Sequence, residues 1–253
     1  MYYLFDGTYP GFLCCIFESF ERREFDVVPI TSTDHQIDLF AGNRTVVTDE
    51  HKADRVQKGV QERVGKVEAL DFYRVFLSED RRAWEASFFI LHQIFIGRDN
   101  ILQHYGDDRV LYFSQTLKKV GRERHRMKAF IRFSKSADGL FFALVEPDFN
   151  VLPLIAGFFR KRYADMPWLI YDVKRRYGLL FDTQRVSEVQ LSPEEAQGVA
   201  SPAVAIAMDE RDQLFQRLLK QYYTTTNIEA RKNMKLHLQH VPRRYWKYLV
   251  EKQ

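Results

Sequence analysis

The feature that most constrains the fold is a change of hydrophobic pattern shortly after residue 126. The runs KAFIRFSK and GLFFALVE are alternating or apolar, as in strands, and the SADG that joins them favours a hairpin. NVLPLIAGFFRKRYAD predicts a helix with Pro153 in its first turn, where a missing N–H donor costs little. Two further strands are predicted at Trp168–Asp172 and Tyr177–Asp182. The order strand–strand–helix–strand–strand predicts a small antiparallel sheet with a helix on one face.

The residues before this change carry mainly helical patterns. Tyr2–Asp6 is short and aromatic and predicts a strand, and Thr45–Thr48 predicts a second short strand. FLCCIFESFERR places its apolar residues at three- and four-residue spacing, which indicates an amphipathic helix. Thr48 or Asp49 can cap the next helix, which closes at Gly65. Further helices are predicted at Val67–Leu77, Arg82–Ile96 and Val110–His125.

The C-terminal region is predicted to be helical again. Gln184–Ser201 is interpreted as a linker or a short helix, and Asp209–Val250 as a series of broken helices. Within HVPRRYWKYLVEK, the residues Tyr245, Tyr248 and Leu249 follow helical spacing, so we expect this stripe to dock on the body of the protein. The predicted fold class is therefore α+β, with a mostly helical N-terminal half, a small antiparallel sheet in the middle and a helical C-terminal tail.

Charge divides the chain into two parts. Residues 1–117 hold 13 Lys and Arg against 19 Asp and Glu, a net charge of −6. Residues 118–253 hold 25 Lys and Arg against 15 Asp and Glu, a net charge of +10. We predict a single α+β domain over residues 1–253, with two lobes as the alternative: an acidic helical lobe at 1–117 and a basic α+β lobe at 118–253. Segregated positive charge is typical of a surface that binds a polyanion.

Composition bounds the class of protein. With 45% hydrophobic and 15% aromatic residues, the chain is typical of a folded globular protein. No apolar run approaches the roughly 20 residues that span a bilayer, and MYYLFDGTYPGF lacks the pattern of a signal peptide. Cys14 and Cys15 lie in an apolar run and are predicted to be buried, reduced thiols. We therefore predict a cytoplasmic protein with no membrane partner.

Basic residues concentrate in three segments of the second part. Residues 118–135 carry eight Lys and Arg against Glu123 alone, and RKR at 160–162 and KRR at 174–176 repeat the pattern. Several cations on a fixed surface bind a phosphate backbone; the alternative is a solvated face over core aromatics. Aromatic residues that can stack on bases interleave with the charges: Phe130, Phe133, Tyr163, Trp168 and Tyr171. The nucleic-acid-binding candidates are Lys118, Lys119, Arg122, Arg124, His125, Arg126, Lys128, Arg132, Arg160, Arg162, Lys174, Arg175 and Arg176.

Three acids are weaker candidates for a catalytic site. Glu146 and Asp148 lie in VEPDFN between a strand and a helix, and Asp172 ends another strand. Such carboxylates can bind a metal or transfer protons. The favoured interpretation is that Asp148 or Asn150 caps the helix that follows. Spacing alone does not separate the two roles.

The remaining motifs point away from the common enzyme classes. The sequence has no P-loop pattern, no G-x-S-x-G elbow, no H-E-x-x-H helix and no three-cysteine spacing of an iron–sulfur radical enzyme. His237 and His240 are three residues apart, but no nearby Cys or acid completes a metal site, so they are interpreted as structural. No metal and no cofactor are predicted, and whether the protein is an enzyme stays open.

Several stretches carry a family resemblance: YLFDGTYPGFLCCIFESF, VGRERHRMKAFIRF, LFFALVEPDFNVLPLIAGFFRKRY, WLIYD and PRRYWKYLVEK. The chain resembles a bacterial family described as probable DNA metabolism proteins, which carries a domain of unknown function. The family's genes tend to lie beside a radical S-adenosylmethionine protein, and relatives fuse the domain to a uracil-DNA glycosylase-like domain. Tyr171 stands in IYD where the resemblance implies IHD, and no catalytic residue is carried over.

The leading prediction is a DNA-associated accessory protein that binds nucleic acid and works with a separate DNA repair or modification enzyme. The resemblance implies the radical S-adenosylmethionine protein as partner, and a uracil-DNA glycosylase-like protein as a further one. Two alternatives stay open. One is an enzyme that acts on a nucleic-acid base through Glu146, Asp148 and Asp172, and the other is a protein–protein scaffold that does not bind nucleic acid.

Overall fold

The computed structural model describes residues 1–31, 42–135, 139–190 and 242–249 and confirms the α+β class. The chain divides into two compact units, Met1–Arg122 and Glu123–Gln253. Within the described ranges, no helix has the length and apolar character needed to cross a bilayer.

The first unit contains a parallel three-stranded sheet and most of the helices. Its elements are β1 Tyr2–Phe5, α1 Tyr9–Arg22, β2 Val28–Thr31, β3 Asn43–Thr45, α2 Glu50–Val64, α3 Lys66–Phe76, α4 Arg81–Phe95, a 3-10 helix Asp99–Gln103 and the first part of α5 Asp108–Phe130. The strand order is β2-β1-β3, with both neighbours parallel to β1. The sequence predicted β1 but not this sheet. The strand predicted at Thr45–Thr48 lies earlier in the chain, as β3.

Local signals place the helices of this unit. The carboxylate of Asp49 accepts hydrogen bonds from the backbone N–H groups of His51 and Lys52 at 2.8 and 3.1 Å, which confirms the predicted cap of α2. Gly65 has a φ of +92°, a conformation that L side chains rarely adopt, and it separates α2 from α3. Both cysteines are free and buried, as predicted.

The second unit contains a five-stranded mixed sheet. After the end of α5 its elements are β4 Ser134–Lys135, β5 Phe141–Val145, α6 Leu152–Arg162, β6 Trp168–Asp172, β7 Tyr177–Phe181, β8 Val186–Val189 and a 3-10 helix Arg243–Tyr248. The strand order is β4-β5-β6-β7-β8. The predicted antiparallel sheet is wrong at its centre, because β5 and β6 pair in parallel. A helix between two neighbouring strands returns the chain to the starting edge, so the second strand must run in the same direction.

The basic run at 118–133 is almost entirely helical. The sequence predicted that the helix ends at His125 and that KAFIRFSK forms a strand, but α5 continues to Phe130 and β4 holds only two residues. The helical period persists through the buried residues Val120, Glu123 and Met127. Arg132, predicted on the strand, donates instead to the carbonyl oxygen of Ala129 at 2.6 Å, near the end of the helix.

The tail segment (residues 242–249) packs on the second unit. Tyr245 and Leu249 are each 2% exposed, which confirms that this stripe docks, although it forms a 3-10 helix and not the predicted α-helix. The ring of Tyr245 lies 5.5 Å from that of Phe130, centroid to centroid. The interpretation of Gln184–Ser201 as a linker or a short helix is wrong in its first part, because Val186–Val189 pair with β7 as strand β8. Other predictions fall outside the described residues: the helices between 209 and 241, His237 and His240, residues 191–201 of the linker, and Asp138 of the hairpin.

Candidate nucleic-acid interface

The C-terminal half of α5 separates its charges by face. Lys118, Lys119, Arg122 and His125 are exposed, and their three- and four-residue spacing places them on one side of the helix. The first three of them belong to the first unit and His125 to the second. Arg124 and Arg126 are half-buried, and Arg126 lies 3.8 Å from the carboxylate of Glu123. The helix therefore presents a mainly cationic face to solvent.

The last turn of α6 carries three exposed cations, Arg160, Lys161 and Arg162. None of the three forms an ion pair or a hydrogen bond through its side chain with any described residue. Lys128 of α5 lies over the ring of Phe158 on α6, with its Nζ atom 5.1 Å from the ring centroid. This contact brings one candidate cation of α5 to the side of α6.

The turn between β6 and β7 holds the third basic segment, and its cations have different roles. Asp172 is fully buried, and its Oδ1 atom accepts hydrogen bonds from the backbone N–H groups of Lys174 and Arg175. The guanidinium of Arg175 bonds Oδ2 of Asp172 at 2.8 Å and the carbonyl oxygens of Pro147 and Asp148 at 3.0 and 3.1 Å. Arg175 therefore holds the turn together, whereas Lys174 and Arg176 are exposed.

Burial also governs the electrostatics of this turn. It raises the pKa of Asp172 above its usual value, although the hydrogen bond and the charge of Arg175 act in the opposite direction. A buried ion pair stabilises the folded state only if the remaining lone pairs and protons of both groups are also hydrogen-bonded. Here the backbone N–H groups of Lys174 and Arg175 bond Asp172, and the carbonyl oxygens of Pro147 and Asp148 bond Arg175, so the condition is met.

Each of the three candidate catalytic acids has a cationic partner. The carboxylate of Glu146 pairs with Lys247 and accepts the Tyr248 hydroxyl at 2.9 Å. Asp148 pairs with Arg244 at 2.6 Å, and Asp172 pairs with Arg175 as described above. Across the described residues, no three His, Cys, Asp or Glu side chains are grouped so that they could hold a metal ion. The arrangement suits structural ion pairs.

The predicted cap of α6 is wrong. Val151 occupies the N-cap position, and no side chain accepts a hydrogen bond from the first turn. The amide oxygen of Asn150 accepts the hydroxyl of Tyr177 on β7, and Asp148 turns to the tail segment. These two side chains fasten the loop before α6 to distant parts of the unit. Pro153 lies in the first turn of the helix, as predicted, and because proline has no backbone N–H it leaves one fewer donor without an acceptor there.

Glu123 is a central residue of this site that the sequence analysis did not single out. It is 1% exposed, yet it accepts hydrogen bonds from the Tyr245 hydroxyl, the Asp148 backbone N–H at 2.9 Å and the Arg244 guanidinium at 3.3 Å. It thus joins α5 to the 146–150 loop and to the tail segment. The sequence does indicate this burial, because helical spacing places Glu123 on the largely apolar stripe that contains Val120 and Met127.

The aromatic residues proposed for base stacking belong mainly to the core. Trp168 and Tyr171 are buried, and Phe133 and Tyr163 pack against Phe159 at centroid distances of 5.7 and 6.0 Å. Among the described residues of the second unit, the large apolar side chain that is exposed is a different one, Phe158. Sequence spacing did not separate this ring from its buried neighbour Phe159.

A family comparison covers most of this architecture. Residues 81–251 match the model of a domain of unknown function, DUF4130. The chain belongs to this family. The DUF4130 region starts at the first residue of α4 and includes α5, the five strands β4 to β8, α6 and the tail segment. All nucleic-acid-binding candidates and the Glu123 network therefore lie within the DUF4130 region. No curated protein matches the chain, and no solved structure does.

Proposed function

We propose that this DUF4130 protein is a DNA-associated accessory protein, which binds nucleic acid and works with a separate repair or modification enzyme. The observation that carries the proposal is the end of α6. Arg160, Lys161 and Arg162 are exposed there, and none of them forms an ion pair with an acid that the structure describes. The helix dipole favours cations in the last turn by about 0.3–1 kcal/mol each. A phosphate backbone is the partner that best fits three such cations on a rigid element.

The neighbouring acids support a binding role over a catalytic one. A carboxylate that transfers protons to a substrate must be able to reach it. Glu146, Asp148 and Asp172 are each bonded to a cation of the protein itself, and these contacts tie the 146–150 loop to the tail segment and the β6–β7 turn. Their contacts are those of structural residues. The enzyme and the scaffold remain the alternatives that a binding experiment separates.

The proposed partners rest on the family resemblance. The bacterial proteins that the chain resembles are encoded beside a radical S-adenosylmethionine protein, and some relatives are fused to a uracil-DNA glycosylase-like domain. An accessory protein that holds DNA for such an enzyme needs a cationic surface and no cofactor of its own. We therefore propose the radical S-adenosylmethionine protein as the first partner to test and a uracil-DNA glycosylase-like protein as the second.

The test is a titration with short single- and double-stranded DNA at several salt concentrations. Phosphate contacts make the logarithm of the binding constant fall linearly with the logarithm of the salt concentration, by about 0.7–0.9 per contact. Arg162→Glu should weaken binding and make this slope less steep by about that amount. Absence of binding by the wild-type protein at low salt would refute the proposal and favour the scaffold.

Arg185→Glu is the matched control. Arg185 is an exposed cation of the same unit, 81% exposed at its side chain, and its guanidinium lies 3.7 Å from Asp182. The two substitutions change the net charge equally, so long-range electrostatics alone predict equal effects. If DNA binds at the end of α6, Arg162→Glu should lose more DNA affinity than Arg185→Glu. Equal losses would contradict an interface at the end of α6.

A further inference from the structure

Phe158 is an exposed aromatic residue that lies close in the chain to the three cations of α6. Its side chain is 38% exposed on α6, one residue after Gly157 and two before the first of the three cations. Apart from its chain neighbours and the helix backbone, a Cβ atom built at Gly157 would meet nothing within 4 Å, so the surface of α6 is uncovered at the residue before Phe158. The neighbouring ring of Phe159 meets that of Phe158 edge-on, at 5.2 Å and 90°, and is itself buried. The exposed ring of Phe158 therefore packs against the buried ring of Phe159.

The ammonium group of Lys128 lies over the Phe158 ring, 5.1 Å from its centroid. A cation–π contact at such an exposed position is worth about 0.5–1 kcal/mol. A flat aromatic ligand that stacks on this face gains more, because base–aromatic stacking contributes about 1–3 kcal/mol per base. The ligand would replace the ammonium, and Lys128 would then be available to an anion beside the stacked group.

We propose that Phe158 is a stacking platform for one unpaired base of single-stranded DNA, with Lys128 and the cations at 160–162 binding the phosphates on either side. This inference rests on the proposed function and narrows it to a substrate class. Single-stranded nucleic acid is bound by a cationic groove with aromatic rings between the charges, because an unpaired base offers a free π face. In a duplex that face is covered by the neighbouring base pairs. The site therefore prefers single strands.

The decisive variant is Phe158→Leu, which keeps an apolar side chain and removes the ring. We expect it to bind oligothymidine about tenfold more weakly than the wild-type protein, which corresponds to a stacking contribution within the usual range. Its affinity for a duplex of the same length should change less than about twofold. Its thermal stability should fall only slightly, because Phe158 is 38% exposed and leucine keeps an apolar side chain against Phe159. Fluorescence anisotropy with labelled DNA measures both affinities.

Two further variants locate the effect. Tyr105→Leu removes an aromatic side chain that is 57% exposed in the first unit, and it should leave both affinities unchanged. Lys128→Gln should reduce the salt slope for oligothymidine by about 0.7, the value of one phosphate contact in a single strand. An unchanged slope would remove Lys128 from the site.

The outcomes separate this inference from the function on which it rests. If Arg162→Glu weakens DNA binding while Phe158→Leu leaves the affinity for single strands intact, the stacking platform is wrong and the accessory function stands. If Phe158→Leu weakens single-strand and duplex binding equally, the ring is part of the interface but does not read an unpaired base. If the wild-type protein binds neither DNA at low salt, both proposals fall.

Discussion

Replacing Tyr245 by Phe should remove two hydrogen bonds, the one that its hydroxyl donates to the buried carboxylate of Glu123 and the one that it accepts from Arg244 at 2.7 Å, and leave the rest of the second unit in place. The hydroxyl donates to Glu123, whose side chain is almost inaccessible to solvent. Without the hydroxyl, Glu123 keeps the Asp148 N–H at 2.9 Å and the Arg244 guanidinium at 3.3 Å, and its 1% exposure leaves little surface through which water could replace the lost donor. Arg244 is 41% exposed at its side chain, so water can accept the hydrogen bond that it loses, and the loss at Glu123 dominates. The phenyl ring would still pack on Phe130.

The expected loss of stability depends on the charge of the acceptor, the Glu123 carboxylate. A hydrogen bond to a charged group contributes about 1.5–3 kcal/mol, so the free energy of unfolding should fall by about 2 kcal/mol. For a chain of this size that corresponds to about 4–8 °C in the melting temperature. Burial and the bond to Glu123 both raise the pKa of the Tyr245 phenol, so the hydroxyl stays protonated and able to donate at neutral pH. Urea unfolding followed by circular dichroism measures the change.

Tyr248→Phe is the matched control. Its hydroxyl donates to Glu146 at 2.9 Å, but that carboxylate is partly exposed, so water can take the place of the lost donor. The expected loss is below about 1 kcal/mol. A double-mutant cycle of Tyr245→Phe with Glu123→Gln should show a coupling energy of at least about 0.5 kcal/mol, because the two side chains share one hydrogen bond. Equal losses for the two tyrosine variants, or additive effects in the cycle, would refute the reasoning.

Two further predictions concern other parts of the second unit. The hydrogen bonds from Lys247 and Tyr248 lower the pKa of Glu146 below its usual value of 4.5, so its contribution to stability is present above that pH and is lost as the pH falls through the lowered value. The stability difference between wild-type protein and Glu146→Gln should therefore shrink on acidification, and a difference independent of pH would contradict the pairing. Gly178→Ala should cost about 1–3 kcal/mol, since its Cβ would lie 2.8 Å from the carbonyl oxygen of Ile170 and 3.0 Å from the ring of Tyr171. Thermal melts test this second case, and an unchanged melting temperature would show that β6 and β7 can move apart.

Elements with strong local signals could be read directly from the sequence. The cap at Asp49, the proline that opens α6 and the apolar run of β6 each lie within a few residues of the structure they determine. For this reason the helices α2, α3 and α4 and the strand β6 lie within a residue or two of their predicted bounds. The same locality explains the error at the end of α5. A short run such as KAFIRFSK fits either period, and only its packing decides between them.

The charges at 118–133, 160–162 and 174–176 are a property of the sequence, but their roles depend on the tertiary structure. Arg175 bonds the fully buried Asp172 and the carbonyl oxygens of Pro147 and Asp148 on a distant loop, whereas Arg162 forms no ion pair with a described residue. The role of Glu123 likewise depends on Asp148, 25 residues away, and on Tyr245, 122 residues away. The parallel pairing of β5 with β6 required the α6 crossover to bring two separated strands together. Local pattern thus determined most of the helices and the positions of the charges along the chain, while long-range contacts decided how the strands pair, which charges are paired inside the protein and which face solvent.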